Sequence, residues 1–106
     1  MKVILSRRFE EQANQIFERI SRDKPGAAAR WWHNLRSKLR RLSQFPNSGR
    51  VFDERRFPSI RHIVFGDYRL LFEISERKVD VLGIFHGAQR LRAGMLGLGG
   101  SAGEEE

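Results

Sequence analysis

The sequence predicts an α+β fold in two layers, with an N-terminal strand, a helix hairpin and a three-stranded antiparallel meander. Apolar residues recur at helical spacing over residues 7–45 and then alternate with polar residues over residues 60–85. In the second region, Gly66-Asp67 and the polar stretch 75–78 separate three short apolar runs, as tight turns between antiparallel strands do. A chain of 106 residues, 40% of them apolar, has material for one compact core, so we expect a single folded domain.

The N-terminal half of the chain is predicted to hold one strand and both helices. Residues 2–5 favour a β-strand, and Ser6 is placed to cap the helix that follows. This first helix is predicted over residues 7–22, because apolar residues recur there at the spacing of one helix face. These apolar residues are Phe9, Ala13, Ile16, Phe17 and Ile20. Pro25 suits the first turn of a second helix, which is predicted over residues 27–45.

The C-terminal half is predicted to begin with a loop and to continue as three strands. Pro46 disfavours helical geometry in the residue before it, so the second helix ends there and a loop runs through Pro58. The strands are predicted over residues 60–65, 68–74 and 79–85. In the middle strand, the residues expected to face the helices are Tyr68, Leu70, Phe72 and Ile74. The opposite face is expected to be open and partly polar, and it carries Arg69, Leu71 and Glu73.

Composition excludes several kinds of site. The chain has no cysteine, which excludes disulfides, thiolate nucleophiles and cysteine-based zinc sites. Its three histidines are widely spaced and have no His-x-x-x-His motif or carboxylate cluster beside them, so we predict neither a metal site nor a cofactor. No apolar run approaches the roughly 20 residues of a membrane span, so we expect no membrane partner and a location in the cytoplasm.

The formal charge of +7 is unevenly distributed along the chain. Residues 26–50 contain six Lys or Arg residues and no acidic residue, and a basic helix of this kind attracts nucleic acid, ribosomes or acidic protein partners. The alternative is a solvated arginine-rich face that aids solubility. Residues 93–106 are rich in glycine and include three glutamates, and they are predicted to form a flexible tail beyond a domain at residues 1–92.

Several motifs follow one another in the second half of the chain. They are Phe45-Pro46-Asn47-Ser48-Gly49-Arg50, Arg61 at the start of a strand, Asp67-Tyr68-Arg69-Leu70-Leu71-Phe72, and a last strand from Val81 that ends in His86-Gly87-Ala88-Gln89-Arg90. With the predicted order of elements, residues 1–92 resemble the RelE/ParE superfamily of bacterial toxins from type II toxin–antitoxin modules. The resemblance implies a curved sheet backed by two helices, growth inhibition, and neutralisation by a cognate antitoxin through acidic amphipathic helices.

The resemblance leaves the target open between two classes. The Pro-x-x-Gly-Arg turn and the terminal His-Gly-x-x-Arg look more like ParE and the plasmid-stabilisation proteins, which implies binding to DNA gyrase without chemistry of the toxin's own. The alternative is a RelE-like endoribonuclease that cuts mRNA on the ribosome, which needs a proton acceptor, a proton donor and cations at the phosphate. RelE-like toxins typically add basic or aromatic groups near the last strand, where this chain has Gly83-Ile84-Phe85. A third possibility is a non-toxic binding domain that kept the fold.

Candidate site residues follow from these alternatives. For binding of the target or the antitoxin, they are Arg50, Arg61, Arg69, His86 and Arg90. In a RelE-like enzyme, Arg61 and Arg69 are expected to clamp phosphate, His86 or Tyr68 to carry protons, and Glu54 to act as a weaker candidate base. Two arginines aimed from neighbouring strands repel unless an anion or an acid lies between them, which favours a binding role for this pair.

Structural alternatives exist for three of these candidates. Arg50 is interpreted as a turn arginine that pairs with Asp53 or Glu54. Tyr68 is interpreted as a core tyrosine with its hydroxyl at the rim. His86 is either functional or a histidine at a strand end that hydrogen-bonds a neighbouring loop.

Overall fold

The computed structural model describes residues 1–87, which form a five-stranded sheet with two helices packed on one face. In chain order the elements are β1 Lys2–Leu5, α1 Arg7–Asp23, α2 Pro25–Gln44, a single 3-10 turn Pro46–Ser48, β2 Arg50–Asp53, β3 Phe57–Phe65, β4 Tyr68–Ile74 and β5 Lys78–His86. The predicted α+β class and the order of its elements are confirmed. The predicted tail at residues 93–106 lies outside the described residues, and so does Arg90.

The sheet brings the first and last strands of the described chain together. Its strand order is β1-β5-β4-β3-β2, with β1 parallel to β5 and every other neighbouring pair antiparallel. The helix hairpin therefore follows a strand that pairs, within residues 1–87, only with β5, the last strand of that range. Neither helix is long and apolar enough to cross a membrane, as far as the structure describes the chain.

The meander has four strands, where three were predicted. Residues 50–53 were expected in a loop, but they form β2 and pair with β3, which begins at Phe57. Pro58 favours a loop because proline donates no hydrogen bond, yet it is tolerated here because β3 has not yet reached β4 at that point. Between β2 and β3, the carboxylate of Asp53 accepts hydrogen bonds of 3.0 Å from the backbone N–H groups of Arg55 and Arg56. This local turn allows the short strand to pair.

Apolar residues cover both faces of the sheet. The predicted alternation in β4 is confirmed, because Leu70 and Phe72 join the core beneath the helices while Leu71 joins a smaller cluster on the opposite face. We call that opposite face the open face. Its buried residues are Ile60, Leu71 and Phe85, and Phe52, Phe57 and Leu82 pack against them. The open face therefore has its own apolar cluster, and the strands that carry its polar side chains are packed on both faces of the sheet.

Helix α1 is fastened to β5 at two points. The Ser6 side chain accepts a hydrogen bond of 3.0 Å from the N–H of Phe9, as a helix cap does, and donates one of 3.1 Å to the carbonyl of Leu82. One turn further on, the side-chain oxygen of Gln12 accepts from the N–H of Ile84 at 3.0 Å. Both contacts lie beside the irregularity in the β4–β5 pairing, on the part of β5 beyond its last residue paired with β1.

Candidate functional site

The two arginines expected to form one phosphate clamp lie on opposite faces of the sheet. Arg61 is paired with Phe72, whose side chain belongs to the core beneath the helices. Arg69 is paired with Phe85, which belongs to the buried apolar residues of the open face. Residues directly opposite each other on neighbouring strands share a face, so the two arginine side chains do not lie side by side in this structure.

Arg61 has a partner within its own chain. Its Nη1 atom donates a hydrogen bond of 2.7 Å to the carbonyl of Gly49, and the side chain is partly buried. Gly49 lies directly before β2, so this bond holds the end of the turn against β3. At least one of the donors expected to bind a phosphate is therefore used to build the sheet.

Four side chains on the open face form the group that we call the open-face cluster: Arg50, Phe52, His62 and Arg69. Arg50 on β2 is directly paired with His62 on β3, and Leu71, the β4 partner of His62, lies two residues from Arg69. The ring of Phe52 lies 6.0 Å from the ring of His62, and the guanidinium carbon of Arg69 lies 6.0 Å from the centre of the Phe52 ring. His62 and Arg69 thus lie near the ring of Phe52, and Arg50 adds a third strand as the β2 partner of His62.

His62 is the member of this cluster that the sequence did not reveal. Burial is the largest cause that lowers its pKa below the ordinary value of 6.5, and the positive charges of Arg69 and Arg50 lower this pKa further. Its Nδ1 atom is buried and has no hydrogen-bond partner among the described residues. Alternation along β3 places His62 on the face opposite Arg61, and this can be predicted from the sequence. The pairing of His62 with β2 cannot, because the sequence predicts a loop in place of β2.

The pKa of His62 makes the stability of the fold dependent on pH. The folded state binds a proton at His62 less readily than the unfolded state does, so stability is expected to fall as the pH drops below about 6.5, until the lowered folded pKa is passed. Urea unfolding of wild type and His62→Gln between about pH 8 and pH 5 measures this effect as the difference between their pH profiles. A difference that stays flat over this interval would contradict the assignment.

Tyr68 and His86 lie on the helix side of the sheet, away from Arg69. They are paired in register, and their rings are 5.7 Å apart. The hydroxyl of Tyr68 accepts a hydrogen bond of 2.9 Å from Arg19, and its ring contacts Trp31 with 6.1 Å between the ring centres. The interpretation of Tyr68 as a core tyrosine with its hydroxyl at the rim agrees with this environment.

The structure does not gather the residues proposed for RelE-like chemistry. Arg69 lies on the open face, whereas Arg61, Tyr68 and His86 belong to the helix side and Glu54 lies in the exposed turn between β2 and β3. The alternative partner proposed for Arg50 is also engaged elsewhere, because Asp53 accepts from two backbone N–H groups. Within residues 1–87, no group of three or more His, Asp and Glu side chains is placed to hold a metal ion.

A groove of about 760 Å³ between α1 and α2 forms a second candidate surface, which we call the helix groove. Its apolar lining comes mainly from Phe9, Ala13, Trp32, Leu35 and Leu39. Arg36 and Arg40, both exposed on α2, contribute two positive charges, and Glu10 on α1 contributes one negative charge. An apolar lining beside basic side chains suits an amphipathic partner that carries acidic residues.

Comparison with known proteins identifies one family and similar solved structures. The family described as "ParE toxin of type II toxin-antitoxin system, parDE" matches residues 3–91. Among solved structures, a chain of the chromosomal ParDE TA system from P. aeruginosa is similar, with a TM-score of 0.69 and 16% sequence identity over 81% of this chain and 95% of that chain. At this identity the structural likeness shows the fold alone. No curated protein is significantly similar in sequence.

Proposed function

The chain belongs to the family of ParE toxins of type II toxin–antitoxin systems, and we propose that it stops growth by binding DNA gyrase in the cytoplasm. The observation that carries this proposal is the extent of the family match, because residues 3–91 include both helices and nearly all of the sheet. Residues 1–92 are proposed to suffice for this activity. Gyrase is the target that the resemblance to ParE implies.

The scattered positions of the polar residues support binding over catalysis. Proton transfer in RNA cleavage needs an acid and a base within hydrogen-bond reach of the same phosphate. The reaction also needs cations at that phosphate. The candidate proton carriers Tyr68 and His86 lie together on the helix side. Arg69 lies on the opposite face of β4, and Arg61 lies four residues along β3 from Phe65, the partner of Tyr68, so neither candidate cation lies beside the proton carriers. This arrangement favours the ParE-like mechanism over the RelE-like alternative.

A supercoiling assay tests the proposed target. The purified protein is expected to inhibit supercoiling by gyrase or to accumulate cleaved DNA, and addition of the antitoxin encoded beside it is expected to reverse the effect. Relaxation of the same plasmid by an unrelated topoisomerase is the control. An unaffected gyrase, with the toxin shown to be folded by circular dichroism, would refute the proposal. Mapped transcript ends that show cuts at the ribosomal A site would instead support the RelE-like alternative.

We propose that the antitoxin is an acidic, amphipathic segment that lies in the helix groove. The apolar lining provides contact area, and the exposed arginines complement acidic side chains on the partner. The net charge of +7 favours the same partner at long range.

Charge reversal beside the helix groove is expected to weaken antitoxin binding. The double variant Arg36→Glu/Arg40→Glu places like charges against the acidic partner, which is expected to weaken the complex by about tenfold or more. Arg55→Glu/Arg77→Glu is the matched control, because both residues are exposed and lie in turns outside the helix groove. Affinities measured by calorimetry in the same buffer compare the two variants. Equal losses in both would show that the helix groove is not the docking surface.

A further inference from the structure

We propose that the open-face cluster is a binding site for a phosphate-type oxyanion, held by Arg50, His62 and Arg69. This site is distinct from the gyrase and antitoxin interactions proposed above and does not depend on them. It is also distinct from the clamp expected from the sequence, because Arg61 has no part in it and His62 does.

The backbone delivers the three side chains to one place. Arg50 and His62 are directly opposite each other on β2 and β3, where Cβ atoms of paired residues lie roughly 4.5–5.5 Å apart. Arg69 reaches the same region from β4, because its guanidinium carbon lies 6.0 Å from the ring of Phe52, the ring of His62 lies 6.0 Å from that same ring, and the charge of Arg69 acts on His62. Because paired strands fix these positions, a ligand would not have to order a loop in order to bind.

The electrostatics of the cluster favour an anion. Burial is the largest cause that lowers the pKa of His62, and the positive charges of Arg69 and Arg50 lower it further, so both arginines are close enough to act on the imidazole. A site in which two guanidinium groups flank an imidazole attracts negative charge, and the guanidinium fork binds oxyanions through two parallel hydrogen bonds.

The imidazole of His62 adds a neutral donor to the two cations. Its buried Nδ1 atom has no partner in the described part of the chain, which favours the tautomer with the proton on Nε2, because a proton on Nδ1 would leave a buried donor unsatisfied. Nε2 is then the nitrogen that can donate to a ligand. Neutral histidine therefore contributes a hydrogen bond without adding to the repulsion between the two arginines.

The number and direction of the donors favour phosphate over carboxylate. A single arginine fork saturates the two oxygens of a carboxylate, whereas a phosphate group presents three or four oxygens in a tetrahedral arrangement. Donors from three adjacent strands approach one ligand from different sides, which suits the tetrahedral group. The phosphate can come from the free ion or from the backbone of a nucleic acid, and Phe52 offers an aromatic ring beside it.

NMR titration of His62 in the full chain tests the site. The pKa of His62 is measured in sulfate, in acetate and in chloride at equal ionic strength. Sulfate is chosen because it stays doubly charged over the pH range in which histidine titrates. Sulfate is expected to raise the pKa of His62, because a bound anion stabilises the imidazolium, while chloride and acetate leave it unchanged. Equal effects of all three salts would overturn the proposal. Inorganic phosphate and a short oligothymidine, titrated separately, distinguish the free ion from a nucleic-acid backbone as the source.

Two variants separate the site from general attraction to a basic protein. Arg69→Gln is expected to weaken sulfate binding by at least about tenfold, since it removes one charge-assisted donor. Arg77→Gln removes the same charge from an exposed turn and is expected to leave binding unchanged. Amide spectra check that both variants keep the fold. Equal binding by the two variants would refute the assignment, whatever the outcome of the gyrase assay.

Discussion

Phe72→Ala is expected to lower the free energy of unfolding by about 3–5 kcal/mol, more than any other substitution predicted for this protein. Phe72 has no exposed surface, and it lies in the centre of β4 between β3 and β5. Removing the ring loses its transfer free energy and leaves a cavity beneath the helices. For a domain whose total stability is typically about 5–15 kcal/mol, this loss leaves a large unfolded population.

Chemical denaturation of Phe72→Ala and Val64→Ala measures this effect against a matched control. Val64 is a strand residue of the same sheet, but its side chain is 67% exposed on the open face. Its truncation is expected to cost less than about 1 kcal/mol. Similar losses in both variants would show that the interior around Phe72 is not packed as described.

Gly49→Ala is expected to destabilise the fold by about 1–3 kcal/mol through steric overlap. A Cβ atom at this position would lie 2.8 Å from the carbonyl oxygen of His62 and 2.8 Å from the Cζ atom of Phe72. The first of these atoms belongs to the backbone of β3 and the second to a fully buried ring, so neither can move away without disturbing the sheet. The backbone φ of Gly49 is an ordinary −89°, so the expected loss comes from space and not from backbone geometry.

Gly26→Ala is the matched control for Gly49→Ala, and it is expected to change the free energy of unfolding in the opposite direction. Gly26 lies in the first turn of α2, and an added Cβ would meet only the flexible end of Arg30 at 3.5 Å. Alanine is preferred over glycine in a helix by about 0.5–1 kcal/mol, so this variant is expected to be slightly more stable than wild type. Thermal unfolding of the two variants compares them directly. A destabilised Gly26→Ala, or a neutral Gly49→Ala, would contradict the contacts described.

The sequence predicted those elements whose signal is contained in their own residues. The helical spacing from Phe9 to Ile20 and the alternation in residues 68–74 each span enough positions to define a face, and both predictions are confirmed. Strand β2 has only four residues and is recognisable mainly by its partner, which begins beyond a loop and contains Pro58. Such a strand depends on non-local pairing, which local periodicity does not report.

The unpredicted strand β2 also explains why the site residues predicted from the sequence differ from the open-face cluster. Without β2, the sequence predicts Arg50 in a turn and no strand beside His62, so Arg61 and Arg69 are the two arginines it predicts on neighbouring strands. The alternation rule already placed Arg61 and His62 on different faces of β3. The register between β3 and β4 could not be predicted from the sequence. It places Arg61 opposite Phe72 and therefore on the helix side.

The parallel pairing of β1 with β5 constrains when the protein can finish folding during its own synthesis. Lys2 is in register with Lys78 and Leu5 with Val81, so β1 cannot pair within the sheet until β5 has left the ribosome. Contacts separated by so much sequence form slowly, because most of the chain must be ordered to close them. A nascent polypeptide interrupted before residue 78 therefore lacks a completed sheet, and translation must pass β5 before the described fold can form.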